Sequence, residues 1–322
     1  MNTLDSIDEK AIYLTIAPDR NYGIFACVAI QTVILHLPSE YNLYCYIIDC
    51  GLNWIQKKKI KKLFSNKHKH KYKFIEFNVE EVKELPKFAH VTRSAYARLF
   101  LTELLPQHIS KILYIDCDTI TINSISSLWE IDLEDKYIAA YASEESIVSN
   151  PNALSIWHEL GFQKNDPYFN SGILLMNISK MREDNIIYKI RNFNNKYRHT
   201  IKQIDQTVLN AVLGKNVMLI DRKWNYEIRY WNANHLDNEL EFTIESLRKH
   251  AVILHFLSCN KPWMHKIKHS CRDIYFYYVD ISPWSGWRPV PDLAYIKKRC
   301  FINAKNTLVI VLKNVKCYFY NI

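Results

Sequence analysis

Glycine is scarce in this chain, and no glycine belongs to a recognisable phosphate-binding loop. Only 6 glycines occur among 322 residues, and neither a G-x-G-x-x-G nor a G-x-x-x-x-G-K-[ST] pattern is present. Such loops bind phosphates through backbone amides, so we expect no phosphate site of that kind. Phosphate charge would have to be met by a cation and by side chains.

Paired cysteines and long hydrophobic runs are absent as well. None of the 8 cysteines forms a C-x-x-C pair, and Cys27 and Cys45 lie within apolar runs. Reduced core thiols are therefore expected, rather than disulfides or a zinc site. No run approaches the ~18–20 apolar residues of a transmembrane helix, and residues 1–10 lack the apolar stretch of a secretory signal. We expect a cytoplasmic protein.

Positive charge is in excess, with a formal net charge of +9. Much of it lies in two lysine clusters, at 56–62 and 67–71. Nucleic acid, an anionic membrane surface and a merely solvated face are the three explanations that this charge leaves open. No signature of a nucleic-acid-binding module accompanies the lysines, so we predict no nucleic-acid partner.

Alternating strand and helix patterns run through most of the chain. They predict an α/β fold whose mostly parallel sheet is covered by helices on both faces. The predicted strands are 11–17, 42–49, 72–78, 111–116, 137–142 and 169–176, and the predicted helices are 23–37, 53–64, 94–105 and 204–213. From residue 263 onward, tryptophans and prolines break the alternation. We therefore predict a main domain at 1–262 and a basic, aromatic C-terminal extension at 263–322.

Two aspartates one residue apart, Asp116 and Asp118, follow the apolar segment 111–115. Carboxylates at the exit from a buried strand are costly unless they are paired or bound to metal. In such sheets, ligands bind at the carboxyl ends of strands, where Asp19 also falls. The pair favours a Mg²⁺ or Mn²⁺ site shared with substrate phosphates, although a simple turn with aspartate as turn former is the alternative.

His255 and Lys261 are candidates to complete this site. His255 lies within the apolar strand pattern 253–256 and could supply a third ligand, or it could be a structural histidine. Lys261 lies six residues further along the chain and could contact the same phosphates as a point charge.

Six motifs, in order over about residues 17–263, resemble those of glycosyltransferase family 8. They are Ala17-Pro18-Asp19-Arg20-Asn21-Tyr22, Ser94-Ala95-Tyr96-Ala97-Arg98-Leu99, Tyr114-Ile115-Asp116-Cys117-Asp118, Tyr168-Phe169-Asn170-Ser171-Gly172, Asp205-Gln206-x-x-Leu209-Asn210, and His255 with Lys261-Pro262-Trp263. The likeness is greatest to bacterial lipopolysaccharide galactosyl- and glucosyltransferases. Ser282-Pro283-Trp284 and the basic tail also resemble the C-terminal piece of the lipopolysaccharide-core members.

The resemblance implies a single nucleotide-sugar-binding domain of the GT-A type, with a mixed, mostly parallel sheet and a small C-terminal extension. It implies a retaining enzyme that moves α-linked glucose or galactose from a UDP-hexose to a lipopolysaccharide or lipooligosaccharide core acceptor. Mn²⁺ would be the cofactor, with Mg²⁺ as a substitute. A capsule or protein acceptor, and a catalytically degenerate nucleotide-sugar-binding protein, are the alternatives.

The resemblance also implies roles for individual residues. At the nucleotide, Asp19 and Asn21 would bond the uracil edge beside Ala17, and Tyr22 would stack on the ring. Asp116, Asp118 and His255 would bind Mn²⁺, with Cys117 between the aspartates. Lys261 and Ser258 would contact the diphosphate. At the donor sugar, Arg98 would reach the sugar or diphosphate, and Asn170, Ser171, Asp205 and Gln206 would hold the sugar. Alternatives remain a surface or intrahelical ion pair for Arg98, a turn for Asn170 and an N-terminal helix cap for Asp205.

Two positions depart from the family pattern. The family commonly has glycine where this chain has Ser258, which suggests looser packing around the diphosphate. It also usually has a sugar-binding aspartate after the strand at 137–142, where this chain offers Glu144 after a one-residue shift.

For retention, we expect attack on the same face as departure, because the resemblance places the amide Gln206, a poor nucleophile, beneath the anomeric carbon. Asp205 as a covalent nucleophile is the runner-up.

The tail at 293–320 mixes lysines with aromatic residues. It could bind the inner face of the cytoplasmic membrane peripherally, or pack on the catalytic domain.

Overall fold

The computed structural model describes residues 10–65, 69–86, 92–229, 243–265 and 267–290. The predicted membrane-binding tail at 293–320 lies outside these residues. Within them, no helix combines the length and the apolar character needed to span a bilayer.

A seven-stranded mixed sheet forms the centre of the fold, with the strand order β3-β2-β1-β4-β7-β6-β8. Strands β1 to β4 are mutually parallel, β7 is antiparallel to both β4 and β6, and β8 is parallel to β6. The strands are β1 Ala11–Ile16, β2 Asn42–Asp49, β3 Lys71–Glu76, β4 Lys111–Ile115, β6 Ile138–Ala140, β7 Ile173–Asn177 and β8 Val217–Leu219. The predicted mostly parallel α/β sheet is confirmed.

Helices cover both faces of this sheet and divide its core in two. One apolar cluster contains α1 and α9, and the other contains α6 and α7. The helices are α1 Gly23–His36, α2 Trp54–Lys62, α3 Leu101–Leu104, α4 Ser126–Trp129, α5 Ile178–Glu183, α6 Ile186–Tyr197, α7 Ile204–Leu213, α8 Ile244–Arg248 and α9 Arg272–Asp280. Because α1 is buried along most of its length, its sequence is apolar nearly all round.

A second, three-stranded sheet holds the histidine segment against the D-x-D loop. Its strands are β5 Thr119–Thr121, β9 Tyr226–Ile228 and β10 Ile253–Phe256, in the order β5-β10-β9. β10 pairs antiparallel with β5, so that His255 lies opposite Thr119. This pairing brings His255 beside residues more than a hundred positions earlier in the chain.

Two predicted elements differ from the structure in type or by more than two residues at one end. The helix predicted at 94–105 is a 3₁₀ helix over Arg93–Phe100 followed by the short α3. Tyr96, Ala97 and Arg98 are all buried, and because a 3₁₀ helix has three residues per turn, this segment is covered on more than one side. The strand predicted to begin at 169 begins at Ile173, because residues 170–172 turn into the site instead of pairing.

Described residues between 263 and 290 pack on the main core. Trp263 stacks on Phe25 of α1 with ring centroids 4.0 Å apart, and Tyr275 of α9 is fully buried in the same cluster. The boundary predicted at 262/263 stays a prediction.

Candidate active site

Asp116, Asp118 and His255 converge at the carboxyl end of β4. One ligand atom from each side chain lies within 4.8 Å of the others. His255 Nε2 is 3.3 Å from Asp118 Oδ1 and 3.8 Å from Asp116 Oδ2. Two carboxylate oxygens and an imidazole nitrogen form a donor set suited to Mn²⁺ or a similar divalent ion.

A hydrogen-bond chain fixes the tautomer of His255. The backbone N–H of Gly172 donates to Asn170 Oδ1 (2.8 Å), so that oxygen is an acceptor. Asn225 Nδ2 donates to the same oxygen (2.9 Å), which turns Asn225 Oδ1 toward His255 Nδ1 (2.9 Å). The ring therefore carries its hydrogen on Nδ1, and in the neutral ring the Nε2 lone pair faces the carboxylates. Lone pairs directed at one another in this way need a cation between them.

Gly172 permits this close approach. A Cβ atom at this position would lie 2.2 Å from His255 Cε1 and 2.9 Å from Asp116 Oδ2. Its carbonyl accepts a hydrogen bond from the Asp116 backbone N–H (2.8 Å). Any larger residue at position 172 would therefore clash with His255 and Asp116. With glycine there, the three predicted metal ligands lie close enough together to fit a divalent ion.

Lys261 forms an ion pair with Asp118. Its Nζ lies 2.6 Å from Asp118 Oδ2 and also donates to the carbonyl of Phe256. Burial by itself would raise the pKa of Asp118, but the positive charge of Lys261, together with its hydrogen bond, opposes burial and holds that pKa below its ordinary value. Asp118 is therefore ionised at neutral pH, as a metal ligand must be.

Arg98 links the half-buried carboxylate of Asp116 to the buried carboxylate of Asp205. It is 5% exposed, its Nη2 lies 2.6 Å from Asp116 Oδ1, and its Nε lies 3.1 Å from Asp205 Oδ2. Its Nη1 donates to the Ser171 carbonyl (2.5 Å), and the guanidinium lies over the Tyr114 ring. The predicted alternative of an exposed or intrahelical ion pair is wrong, because both partners belong to other elements.

Asp205 is a buried carboxyl group with a raised pKa. Burial raises its pKa to about 6, although Arg98 and the Ser171 hydroxyl, which donates to Asp205 Oδ2 (2.8 Å), oppose that rise. It does not cap α7, whose N-cap residue is Gln203. The group is therefore held inside the site by Arg98 and Ser171.

Gln206 lies beside it at the start of α7. Its Oε1 accepts from the Ser171 backbone N–H (3.2 Å), and its Nε2 donates to Gln203 Oε1 (2.7 Å). The loop 170–172 is thus attached to α7 through Ser171, and through Asn170 to Asn225 in the 3₁₀ turn that precedes β9. Asn170 also makes the turn that was the alternative to its sugar-binding role.

The predicted nucleotide-binding residues divide into two groups. Ala17 and Tyr22 line the site cavity, whereas Asp19 and Asn21 are not among its lining residues. Asp19 Oδ1 accepts from the backbone N–H groups of Asn21 (2.8 Å) and Tyr22 (3.0 Å) and so shapes the loop that carries Tyr22.

One cavity of about 980 Å³ contains most of the other predicted residues. This is a volume suited to a ligand of nucleotide-sugar size. Ser258 and Cys117 line it, and Ser258 has a φ of +69°, a conformation that favours glycine. Glu144 is exposed and outside the lining, where Ser143 and Ser146 occur instead.

Sequence patterns missed several residues of this site. Asn225 is fully buried and orients His255, but a single asparagine after Trp224 carries no motif signal. Glu227 and Arg229, at β9, also line the cavity. They pair with each other at 3.2 Å; Glu227 lies in β9 and Arg229 directly follows it, and this strand is too short to show a pattern.

Similarity to solved structures identifies the fold. The structure of galactosyltransferase LgtC in complex with donor and acceptor sugar analogues matches with a TM-score of 0.69. The two sequences are 22% identical, and the match covers 89% of this chain and 100% of that one. The fold is the GT-A fold of glycosyltransferases, as the resemblance predicted.

The sequence model of glycosyl transferase family 8 matches residues 13–266, and the chain belongs to this family. A putative glycosyltransferase of Haemophilus influenzae is 30% identical over 81% of this chain and 75% of that protein. The lipopolysaccharide 1,2-glucosyltransferase of Escherichia coli is 23% identical over 87% of this chain and 80% of that protein. The predicted family is confirmed.

Proposed function

We propose that the protein is a retaining hexosyltransferase that transfers glucose or galactose from a UDP-hexose to a lipopolysaccharide core acceptor. The observation that carries the proposal is the convergence of Asp116, Asp118 and His255 with Lys261 in one large cavity. A nucleotide diphosphate needs such a combination of cation ligands and fixed positive charge, because no glycine-rich loop is available.

Mn²⁺ is the proposed cofactor, with Mg²⁺ as a substitute, held by the two aspartates and by His255 Nε2. Bound there, it would act as a Lewis acid that stabilises charge on the leaving diphosphate. Asn225 keeps the Nε2 lone pair of His255 directed at this position, and Gly172 leaves the space for it.

Lys261 and Arg98 supply the fixed positive charge. Lys261 Nζ contacts Asp118 and can reach the diphosphate beside it, where it would stabilise the leaving group electrostatically. Arg98, held between Asp116 and Asp205, would orient the sugar side of the donor. Ser258 and Cys117 would form the wall against the diphosphate, since both line the cavity.

Same-face substitution is the proposed route to retention. In it, the leaving phosphate accepts the proton of the acceptor hydroxyl, while Gln206, Asn170 and Ser171 hold the sugar. Gln206 offers an amide rather than a carboxylate, and Asp205 is occupied by Arg98 and Ser171. Both observations favour this route over a covalent intermediate on Asp205.

The acceptor is proposed from the relatives. The E. coli relative is named as a lipopolysaccharide glucosyltransferase, and the structural relative LgtC is named as a galactosyltransferase. The proposed location follows from this acceptor: cytoplasmic, with peripheral attachment to the inner membrane face. A capsule or protein acceptor is the alternative.

Hydrolysis of a panel of UDP-sugars tests the proposal. Purified protein is assayed with Mn²⁺ and with EDTA, beside an Asp116→Ala/Asp118→Ala variant and then with lipooligosaccharide core added. Metal-dependent release of UDP from UDP-glucose or UDP-galactose, lost in the variant and increased by the core, supports the proposal. Metal-independent UDP binding without turnover in the presence of core would instead indicate a degenerate binding protein.

A further inference from the structure

The active site does not use the most basic segment of the chain. Residues 50–75 contain nine lysines and no aspartate or glutamate, a surplus as large as the formal net charge of +9. Among the described residues, this segment comprises α2 and the edge strand β3 with their flanking turns.

The outer side of α2 combines large apolar side chains with lysines. Trp54 is 71% exposed and Ile55 is 41% exposed. Lys58, Lys61 and Lys62 are exposed at positions four to eight residues further along, which places all five residues on one side of the helix. We call these five residues the α2 face. Ile60, on the opposite side, is fully buried against the core.

The lysines of the α2 face carry uncompensated charge. Lys57 pairs with Asp49, and Lys59 donates to the Pro283 carbonyl and lies over the Trp284 ring. Within the described part of the chain, by contrast, Lys58, Lys61 and Lys62 have no carboxylate partner. Exposed apolar side chains next to lysines without carboxylate partners are a combination that helices bound to membrane surfaces share.

The position of α2 relates this face to the donor cavity. The helix begins at the carboxyl end of β2, and Gln56 Nε2 donates to the Arg20 carbonyl (2.7 Å) in the loop that carries Tyr22. Trp54 and Ile55 therefore lie on the same side of the sheet as the carboxyl end of β4, where the candidate site is located.

We propose that the α2 face docks the protein onto an anionic phospholipid surface, with Trp54 and Ile55 entering the headgroup region and the three lysines contacting lipid phosphates. Charge complementarity supports a polyanion, and the exposed Ile55 favours lipid over nucleic acid, since phosphates of a duplex offer it no apolar partner. This docking does not depend on the identity of the sugar donor.

Vesicle sedimentation of the full chain tests the docking. Vesicles of phosphatidylcholine, alone or with about one third phosphatidylglycerol, are mixed with wild type and with Lys58→Gln/Lys61→Gln/Lys62→Gln. Each lysine near an anionic surface contributes about fivefold, so the triple variant should partition roughly 100-fold more weakly. A Lys164→Gln/Lys189→Gln/Lys196→Gln variant, with the same change of charge at exposed positions elsewhere, is the matched control and should bind like wild type.

Two further variants separate insertion from charge. Trp54→Ala should weaken binding to anionic vesicles, whereas Tyr188→Ala, which removes an aromatic side chain that is 60% exposed on α6, should not. Equal loss in both lysine variants, or unchanged binding in the α2 variant, would overturn the proposal. So would a stronger dependence on the α2 lysines for a DNA duplex than for anionic vesicles.

Discussion

Asn225 is the residue through which the sugar-side loop and the metal-side histidine are connected. Its Oδ1 lies 2.9 Å from His255 Nδ1, and its Nδ2 donates to Asn170 Oδ1, also at 2.9 Å. Such a partner of a metal-binding histidine fixes both the tautomer and the orientation of the ring. Its identity therefore bears on metal affinity without any contact to the metal.

Replacing Asn225 should weaken metal binding. We expect Asn225→Leu to raise the Kd for Mn²⁺ about 10- to 100-fold, because the ring is no longer held with its hydrogen on Nδ1. Asn225→Asp, which keeps an acceptor for Nδ1–H, should recover most of this affinity. Calorimetric titration with Mn²⁺ measures both variants, and the thermal midpoint shows whether each is folded. Equal affinity in wild type and Asn225→Leu would contradict this role.

Asp205 distinguishes the two routes to retention. We expect Asp205→Asn to keep UDP-hexose turnover within about tenfold of wild type, since the amide oxygen can still accept from Arg98 or Ser171. Initial rates with saturating donor and Mn²⁺ measure the change. If Asp205 were a covalent nucleophile, Asp205→Asn would instead lower the turnover rate roughly a thousandfold or more. A loss of that size would contradict same-face attack.

The turn before α9 contains a histidine that makes stability depend on pH. His269 is 5% exposed, and its Nδ1 accepts from the Cys271 backbone N–H (3.1 Å) at the start of the helix. Burial, with the charges of Lys261 and Arg272, lowers its pKa from 6.5 to about 4. The folded state therefore prefers the neutral ring, and the stability this gives is present above pH ~6.5 and declines as the pH falls toward about 4.

The free energy of unfolding should fall by about 2 to 3 kcal/mol from this group between roughly pH 7.5 and 4.5. His269→Gln cannot take up the proton, so its unfolding free energy should decline less over the same range. Urea denaturation at both pH values measures the difference between wild type and variant. His158→Gln, at an exposed histidine, is the control and should follow wild type. Parallel decline in all three proteins would rule out His269 as the cause.

At the scale of the elements, the sequence predicted helices and strands well where the pattern was local. The apolar runs of β1 and β2 and the helix α7 agree with prediction to within one residue. The 3₁₀ helix at Arg93–Phe100 was predicted as α-helix, because its apolar spacing fits both and burial of Arg98 depends on distant carboxylates. The pairing of β10 with β5 depends on residues more than a hundred apart, so no local pattern could indicate it.

The candidate site shows the same division. The D-x-D pair, His255 and Lys261 were recognisable because strand ends and motif order single them out. Asn225, Glu227 and Arg229 were not recognisable from the sequence. Their place in the site depends on contacts with residues that only folding brings close to them. The separate role of Asp19 in shaping its own loop likewise appears only in the hydrogen bonds.

At the scale of the whole molecule, side chains from distant parts of the chain meet at one end of the strands of the central sheet. The segments 94–98, 114–118, 170–172, 205–206 and 255–261 meet there around a single cavity. Two of these segments belong to the central sheet's strand ends, and the histidine segment arrives on a separate small sheet. Carboxylates, an imidazole and fixed cations are thereby concentrated where a nucleotide diphosphate can bind.

Calorimetric titration of UDP tests this account most directly. The protein is titrated with UDP in the presence of Mn²⁺ and, separately, of EDTA, beside Asp116→Asn/Asp118→Asn and the control Asp132→Asn/Asp135→Asn, which makes the same change of charge at exposed positions. The account predicts UDP binding that requires Mn²⁺, persists in the control and is lost in the Asp116/Asp118 variant. Equal UDP affinity with Mn²⁺ and with EDTA, or unchanged binding in that variant, would contradict it.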